Sequence, residues 1–466
     1  MKDNKVAKAA AVYTVSKFSL RAISILTAPI FTRLLTTSDY GMVSNFTAWV
    51  SILACFTGLG LGTPVVRGYT KYPYEYDRFV SSVQFLGTVS SMFVLIISLL
   101  NLNFVSELMN IEQPLVILLF IYLVFYQSVN YTQTKLRFEY KYKTNVIIAI
   151  VSTVASISLS FFFIYKFNDC RYVGRILGPS LSMLFLGLFF YVRIIVKGKC
   201  FYNKEYWKYA LKLSIPMIPH GLSMIALAQI DRLMIMKYVG SSANGLYSFG
   251  YTYATLISIL TNALNEAIQP EIYDNLEKNK RISVDLLVNN VNTLITFVAI
   301  FFIGVAPEVL RILGPASYYD ARWVILPIII GSFCQFEYQN FACVEIHAEN
   351  TKYMAIGSII AAIINYLLNL ILIPKYGYVM AGYTTLIGYF WLMIFHFYGA
   401  KKSYGVNVFN IRRILIHLLA VMVIGTIFQL LFDFILVRYI LITILIIVFY
   451  IRNKHKIKKI VKKIMK

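Results

Sequence analysis

The sequence predicts an all-α polytopic membrane protein: about 14 transmembrane helices, arranged as two six-helix parallel-repeat lobes around a central cavity, with two additional helices at the C-terminal end. Three observations carry this expectation. Hydrophobic residues make up 59% of the 466 and charged residues only 14%, with a mean hydropathy of +0.68, whereas ordinary soluble domains carry about a quarter charged residues. Such a chain cannot cover its own surface with polar groups, so most of it must face lipid. Hydrocarbon admits only segments that satisfy their own backbone hydrogen bonds, either helices or a closed barrel. The apolar runs Val146 to Tyr165 and Tyr353 to Ile373 are continuous rather than alternating, which selects helices. The third observation is a duplication. Gly41-Met-Val-Ser44 matches Gly245-Leu-Tyr-Ser248 at an offset of 204 residues (245 less 41), and Pro64 matches Pro270 at nearly the same offset, giving a repeat unit of about 200 residues.

Hydropathy places the spans at residues 12–32, 41–63, 79–101, 113–133, 144–165, 174–196, 210–231, 245–268, 286–306, 323–344, 353–373, 379–399, 411–432 and 434–451. Each is near the length that a hydrocarbon core of about 30 Å requires. The first span contains Lys17 and Arg21 and follows a basic start without a small-residue cleavage site, so no cleaved signal peptide is expected. The second opens after Thr36-Thr-Ser-Asp-Tyr-Gly41 and closes at Pro64. In the seventh, Pro216, Pro219 and Gly221 predict a broken helix whose freed carbonyls can line a cavity. Asn262, Glu266 and Gln269 share one face of the eighth, beside Pro270, and the tenth contains Cys334-Gln-Phe-Glu-Tyr-Gln-Asn340, an unusually polar patch for mid-membrane. Asn365 and Asn369, four apart in the eleventh, read as hydrogen bonders that join helices. The tail after residue 451 spaces Ile and Val at helical intervals among lysines and reads as an interfacial helix on anionic lipid, or simply as a topology anchor. The resulting division is an N-terminal lobe at 1–200, a second lobe at 201–405, two added helices at 406–451 and a basic cytoplasmic tail at 452–466.

A net charge of +23 could indicate nucleic acid, but its distribution argues otherwise. Of the 44 Lys and Arg residues, 32 fall in segments placed inside by a cytoplasmic N-terminus and 10 in segments placed outside, the other two being Lys17 and Arg21. That bias fits the positive-inside rule with both termini cytoplasmic. The positive charge is therefore an orientation signal, and no nucleic-acid partner is expected. The largest loops, Lys197 to Tyr209 and Glu271 to Leu286, are too short for a soluble catalytic domain, so the protein is not expected to be an enzyme. Five dispersed cysteines without CxxC or paired His spacing read as packing residues rather than metal ligands.

Candidate site residues follow from charge inside spans. Thr14, Lys17, Arg21, Ser24 and Ala28 share one face of the first span. Two cations there either line a wet cavity or snorkel to the headgroups. As cavity lining they suit an anionic cargo, since the guanidinium fork matches phosphate. Asp231-Arg232, at the predicted outer end of the seventh span, reads as a gate or interface ion pair, with cargo contact as the alternative. Glu266 and Glu337 are the acids within spans. A buried carboxylate is protonated or paired, so each can couple cargo movement to protons or sodium. The plainer alternatives are an interfacial position for Glu266 and helix-packing hydrogen bonds for Glu337. The candidates are thus Lys17, Arg21 and Arg232 for cargo, and Asp231, Glu266 and Glu337 for ion coupling. Glu345, His347 and Glu349 alternate, which is wrong for a helical metal site, and they are set aside.

Three motifs carry a resemblance. Arg33-Leu-Leu-Thr-Thr-Ser-Asp-Tyr-Gly41 is the first; Asp231-Arg232-Leu-Met-Ile with Val239-Gly240 and Gly245-Leu-Tyr-Ser248 is the second. The third is Asn365-Tyr-Leu-Leu-Asn369 with Ile373-Pro-Lys-Tyr-Gly377 and Ala381-Gly382. Together they resemble the polysaccharide transporter family, the Wzx-type O-antigen and capsule repeat-unit flippases of the multidrug/oligosaccharidyl-lipid/polysaccharide exporter superfamily. The resemblance spans nearly the whole chain. It implies two six-helix lobes around a cationic lumen, and movement of an undecaprenyl-diphosphate-linked oligosaccharide across the bacterial cytoplasmic membrane by alternating access. It further implies a proton or sodium gradient as driving force with no bound cofactor, and lipid-linked cargo, membrane lipids and other glycan-assembly membrane proteins as partners. Only Lys17, Arg21 and Asp231-Arg232 carry over, loosely, because the family has no universal catalytic signature. The competing readings are a lipid II or multidrug exporter of the same superfamily and a membrane glycan polymerase or ligase. A cation exporter would present acids in place of Lys17 and Arg21, and a polymerase would show a large outer loop.

Overall fold

The computed structural model describes residues 27–350 and 352–464, with side chains through Lys454. Among the described residues the chain is helical, with no strand. Residues 27–34 form α1. Then follow α2 (Thr37–Thr57), α3 (Gly62–Lys71), α4 (Tyr76–Leu100), α5 (Leu102–Met109), α6 (Gln113–Phe138), α7 (Tyr142–Lys166), α8 (Arg171–Gly198), α9 (Lys204–Ser214) and α10 (Ile218–Tyr238). The rest are α11 (Ser241–Ala254), α12 (Leu256–Glu277), α13 (Arg281–Leu313), α14 (Arg322–His347), α15 (Lys352–Tyr376), α16 (Val379–Tyr404), α17 (Ile411–Leu430) and α18 (Ile435–Ile464). The tail expected as a separate interfacial helix continues α18 without a break.

Ten helical segments are long and apolar enough to cross a membrane, counting α9 and α10 as one, and the bent pair α2 and α3 makes an eleventh. The protein is therefore a multi-pass membrane protein, with ten or eleven such spans among the described residues. Three of the expected spans, the first, eighth and tenth, are not among these. The expected first span lies largely outside the described residues. The eighth is split into α11 and α12 at Thr255, and the tenth, α14, contains Gln335, Glu337, Gln339 and Asn340. A helix such as α14, buried over most of its length, presents little surface to lipid and does not need uniform hydropathy.

Local chemistry explains the breaks. Thr36 opens α2 with a reciprocal capping box: its Oγ1 accepts from the Asp39 amide at 3.1 Å, and Asp39 Oδ2 accepts from the Thr36 amide at 2.9 Å. The helix ends at Gly58-Leu59-Gly60, where Leu59 and Gly60 have φ of 47° and 62°, and the axis turns 44° into α3. The single span expected at 41–63 is thus two helices. In the seventh span Pro216 and Pro219 produce the expected interruption, a 3-10 turn at Ile215–Met217 between α9 and α10.

The chain divides into two compact units, residues 1–248 with 373–378 and residues 249–372 with 379–466. In the first, α8 packs on α6 and α7. Gly174 and Gly178 allow the close approach: a Cβ at either would overlap the backbone of α7 near Ile164 and Ser160. The second unit is built around α14, on which α12, α13, α16 and α17 pack.

Candidate functional site

The duplicated motif meets itself. In the first unit, Gly41 on α2 and Gly245 on α11 face each other so closely that a Cβ on Gly41 would overlap the Ser241 carbonyl and one on Gly245 the Thr37 carbonyl. Around this contact the hydroxyls pair reciprocally, Thr37 with Ser242 and Ser38 with Ser241 at 2.7 Å each, and Ser44 with Ser248 at 2.5 Å. Asn244 adds a bond from Nδ2 to the Gly41 carbonyl at 2.8 Å. Since 37 and 241, 38 and 242, and 44 and 248 all share the offset seen in the sequence, the contact has local two-fold pseudosymmetry about the glycines. The two copies of the repeat are joined at equivalent residues.

Asp231 hangs from this junction. It is 1% exposed and accepts the Tyr247 hydroxyl at 2.6 Å. α10 runs on to Tyr238, so Asp231 lies two turns before the end of that helix. Arg232, on the next face, turns back along its own helix to the Ala228 carbonyl at 2.8 Å and to Gln229 Oε1 at 2.7 Å. Lys17 and Arg21 lie outside the described residues.

Near the α2–α3 bend the first unit has an open hollow of about 440 Å³, with Ser51, Thr63 and Gln127 as polar lining and Ile225 of α10 on one wall. A smaller hollow is lined by Thr47, Tyr122, Ser180 and Arg175. Arg175 lies one turn inside α8; it donates to Ser160 Oγ at 3.0 Å, and its guanidinium carbon sits 4.0 Å from the Phe31 ring centre. Arg175 was not among the candidate residues. Two arginines spaced four apart at the start of a helix, Arg171 and Arg175, were the available signal.

In the second unit, α12 and α14 share a polar seam: Ser258 with Ser332 at 2.9 Å, Gln339 to Asn262 at 3.2 Å and Asn265 to Asn340 at 3.1 Å. Glu266 is exposed beside it on α12, and Glu337 is fully buried on α14.

Residues 6–276 match the family model described as polysaccharide biosynthesis protein, more than half of the chain. The chain belongs to that family. An uncharacterized membrane protein of Haemophilus influenzae Rd is 24% identical over 315 residues, 64% of this chain and 76% of that one. Among solved structures, the lipid II flippase MurJ in an inward closed conformation superposes with a TM-score of 0.73 at 14% identity, over 96% of this chain and 100% of that one. An inward-facing multidrug resistance MATE transporter gives 0.60 at 16% identity, over 84% and 98%. This polysaccharide biosynthesis protein therefore has the fold of these membrane transporters.

One pair in this family member escaped the sequence reading. Glu345 on α14, set aside with its alternating neighbours, is 0% exposed, and both its oxygens lie about 3 Å from Nδ1 of His396 on α16, at 3.0 and 2.9 Å. The discount was right for one helix, but the partner sits on another. Truncating His396 to Ala strands a buried carboxylate, a loss expected to approach about 3 kcal/mol in thermal unfolding of the purified protein; His396→Gln, which can still donate, is expected to lose less.

Proposed function

We propose that this polysaccharide biosynthesis protein is a flippase that moves an undecaprenyl-diphosphate-linked oligosaccharide repeat unit, of O-antigen or capsule type, from the cytoplasmic to the outer leaflet of the bacterial cytoplasmic membrane. It works by alternating access coupled to a proton or sodium gradient, with both termini cytoplasmic, and catalyses no covalent step. The single observation that supports this best is the family match together with a fold that follows a lipid-diphosphate flippase over 96% of the chain. Lys17, Arg21 and Arg232 are the cations assigned to the diphosphate, because guanidinium and ammonium groups in a low-dielectric site bind phosphate strongly. Asp231, Glu266 and Glu337 are assigned to ion coupling.

Moving about two negative charges outward is favoured by an inside-negative potential, by roughly 2.3 kcal/mol per charge per 100 mV. With Lys17 and Arg21 neutralising the cargo, the loaded step is nearly charge-silent and the empty return carries the electrical load. Deletion of the gene is expected to trap sugar repeats on lipid at the cytoplasmic face, read by extracting lipid-linked oligosaccharide. Loss of a polymerase would instead leave single repeats at the cell surface. Arg21→Gln is expected to reproduce the deletion while the protein remains in the membrane at normal abundance; wild-type surface glycan in that variant would remove Arg21 from the mechanism.

A further inference from the structure

The polar seam of the second unit continues inward to buried groups that, among the described residues, make no hydrogen bond within 3.5 Å. Glu337 is 0% exposed, and neither of its carboxylate oxygens has a hydrogen-bond partner. Asn292 of α13 is equally buried and close enough to that carboxyl to act on it, yet neither of its amide atoms comes within 3.5 Å of a hydrogen-bond partner. Asn340, three residues beyond Glu337 and so on the same side of α14, is buried with its Nδ2 unpartnered while its Oδ1 accepts from Asn265 of α12. Buried polar groups are almost always paired. Five orphaned atoms on three side chains at one helix junction therefore describe a site rather than a packing fault.

We propose that this junction of α12, α13 and α14 binds a dehydrated sodium ion, held by the Glu337 carboxylate and by the amide oxygens of Asn292 and Asn340. The donors are all hard oxygens, the set that hard cations take. An amide presents either its oxygen or its nitrogen after a half-turn, so Asn340 can exchange its bond with Asn265 and offer Oδ1 inward. The charge count selects a monovalent ion. Glu337 contributes one negative charge, and Asp285, the other acid acting on it from α13, is bonded to Arg413 of α17 at 2.8 Å. A proton on Glu337 could be donated to the Asn292 oxygen in a neutral acid–amide pair, so the sodium and proton readings use the same side chains and the test below separates them. Occupancy ties three helices of the second unit through one charge, which makes their packing dependent on the ion. This site deepens the ion coupling of the proposed function, and only its consequence for transport rests on that reading.

The test uses the purified full chain in detergent, heated with sodium chloride titrated against choline chloride at constant ionic strength. Sodium is expected to raise the melting temperature by several degrees and potassium not to, since a ligand that binds only the folded state stabilises it. Glu337→Gln is expected to fold and to lose the shift. Asn292→Ala keeps the charge and is expected to raise the sodium concentration for half the effect by roughly tenfold or more, the scale at which loss of a supporting group weakens metal sites. A wild-type melting temperature indifferent to sodium, or a shift that Glu337→Gln retains in full, overturns the site. A shift that follows pH instead of sodium and vanishes in Glu337→Gln overturns sodium in favour of a proton. Since this readout needs no cargo, its failure is separate from a failure of glycan export in the deletion strain.

Discussion

Gly41→Val and Gly245→Val are each expected to cost about 3 kcal/mol or more and to deplete the protein from the membrane. Overpacking usually costs less than that because a neighbouring side chain can rotate away. Here the obstacle is backbone: the Ser241 carbonyl for Gly41 and the Thr37 carbonyl for Gly245. Neither can move without separating α2 from α11 and breaking the paired hydroxyls Thr37–Ser242 and Ser38–Ser241. Gly62→Ala is the control, since a Cβ there meets nothing within 4 Å; it is expected to change stability by no more than about 0.5 kcal/mol. Thermal unfolding of the detergent-purified variants and their abundance in membranes measure both. A Gly41→Val protein that melts with the wild type would mean that the two repeat copies are not in contact at their glycines. The removal of single hydroxyls by Ser44→Ala should be mild by comparison, about 1 kcal/mol, the ordinary net value of one hydrogen bond.

Glu308→Ala is the second large effect, expected at about 3–5 kcal/mol. Arg438 of α18 is 1% exposed; its guanidinium makes a two-pronged pair with Glu308 of α13 and also donates to the Gly304 carbonyl. Removing the acid leaves a buried cation whose charge nothing offsets, and an arginine cannot shed its proton. The same logic predicts an asymmetry. Replacing both partners with apolar residues of similar volume, Glu308→Leu with Arg438→Met, is expected to recover most of the loss, because a buried ion pair contributes little beyond its own desolvation cost. A double-mutant cycle in thermal unfolding separates the two outcomes. If the single and double variants melt alike, the pair does not hold α18 to α13.

How much of this was legible beforehand depends on whether a property is local in the chain. Thr36-Thr-Ser-Asp reads directly as a helix start, and Pro216 with Pro219 as an interruption, because capping and proline sterics act within a few residues. The bend at Gly58–Gly60 had glycines as its signal, yet the apolar run continued across it and concealed the break. Arg175 and Arg438 were not singled out, although each lies one turn inside its helix and is held by a group from another helix. The sequence placed Asp231 at the end of its span, whereas α10 continues two turns past it, and the partner of Glu345, a residue set aside, lay 51 residues away.

Composition and apolar run length by themselves determined that this is a helical membrane protein, because lipid compels that property segment by segment, and the offset of 204 residues marked which segments would match. Tertiary structure alone decided which polar residues found partners. It turned Gly41 and Gly245 into a close contact, paired Glu345 with His396, and brought Glu337, Asn292 and the Nδ2 of Asn340 together without hydrogen bonds. Hydropathy averages over a helix and cannot tell a face turned to lipid from one turned to another helix. Satisfaction of a buried polar atom depends on a neighbour that can lie anywhere in the chain.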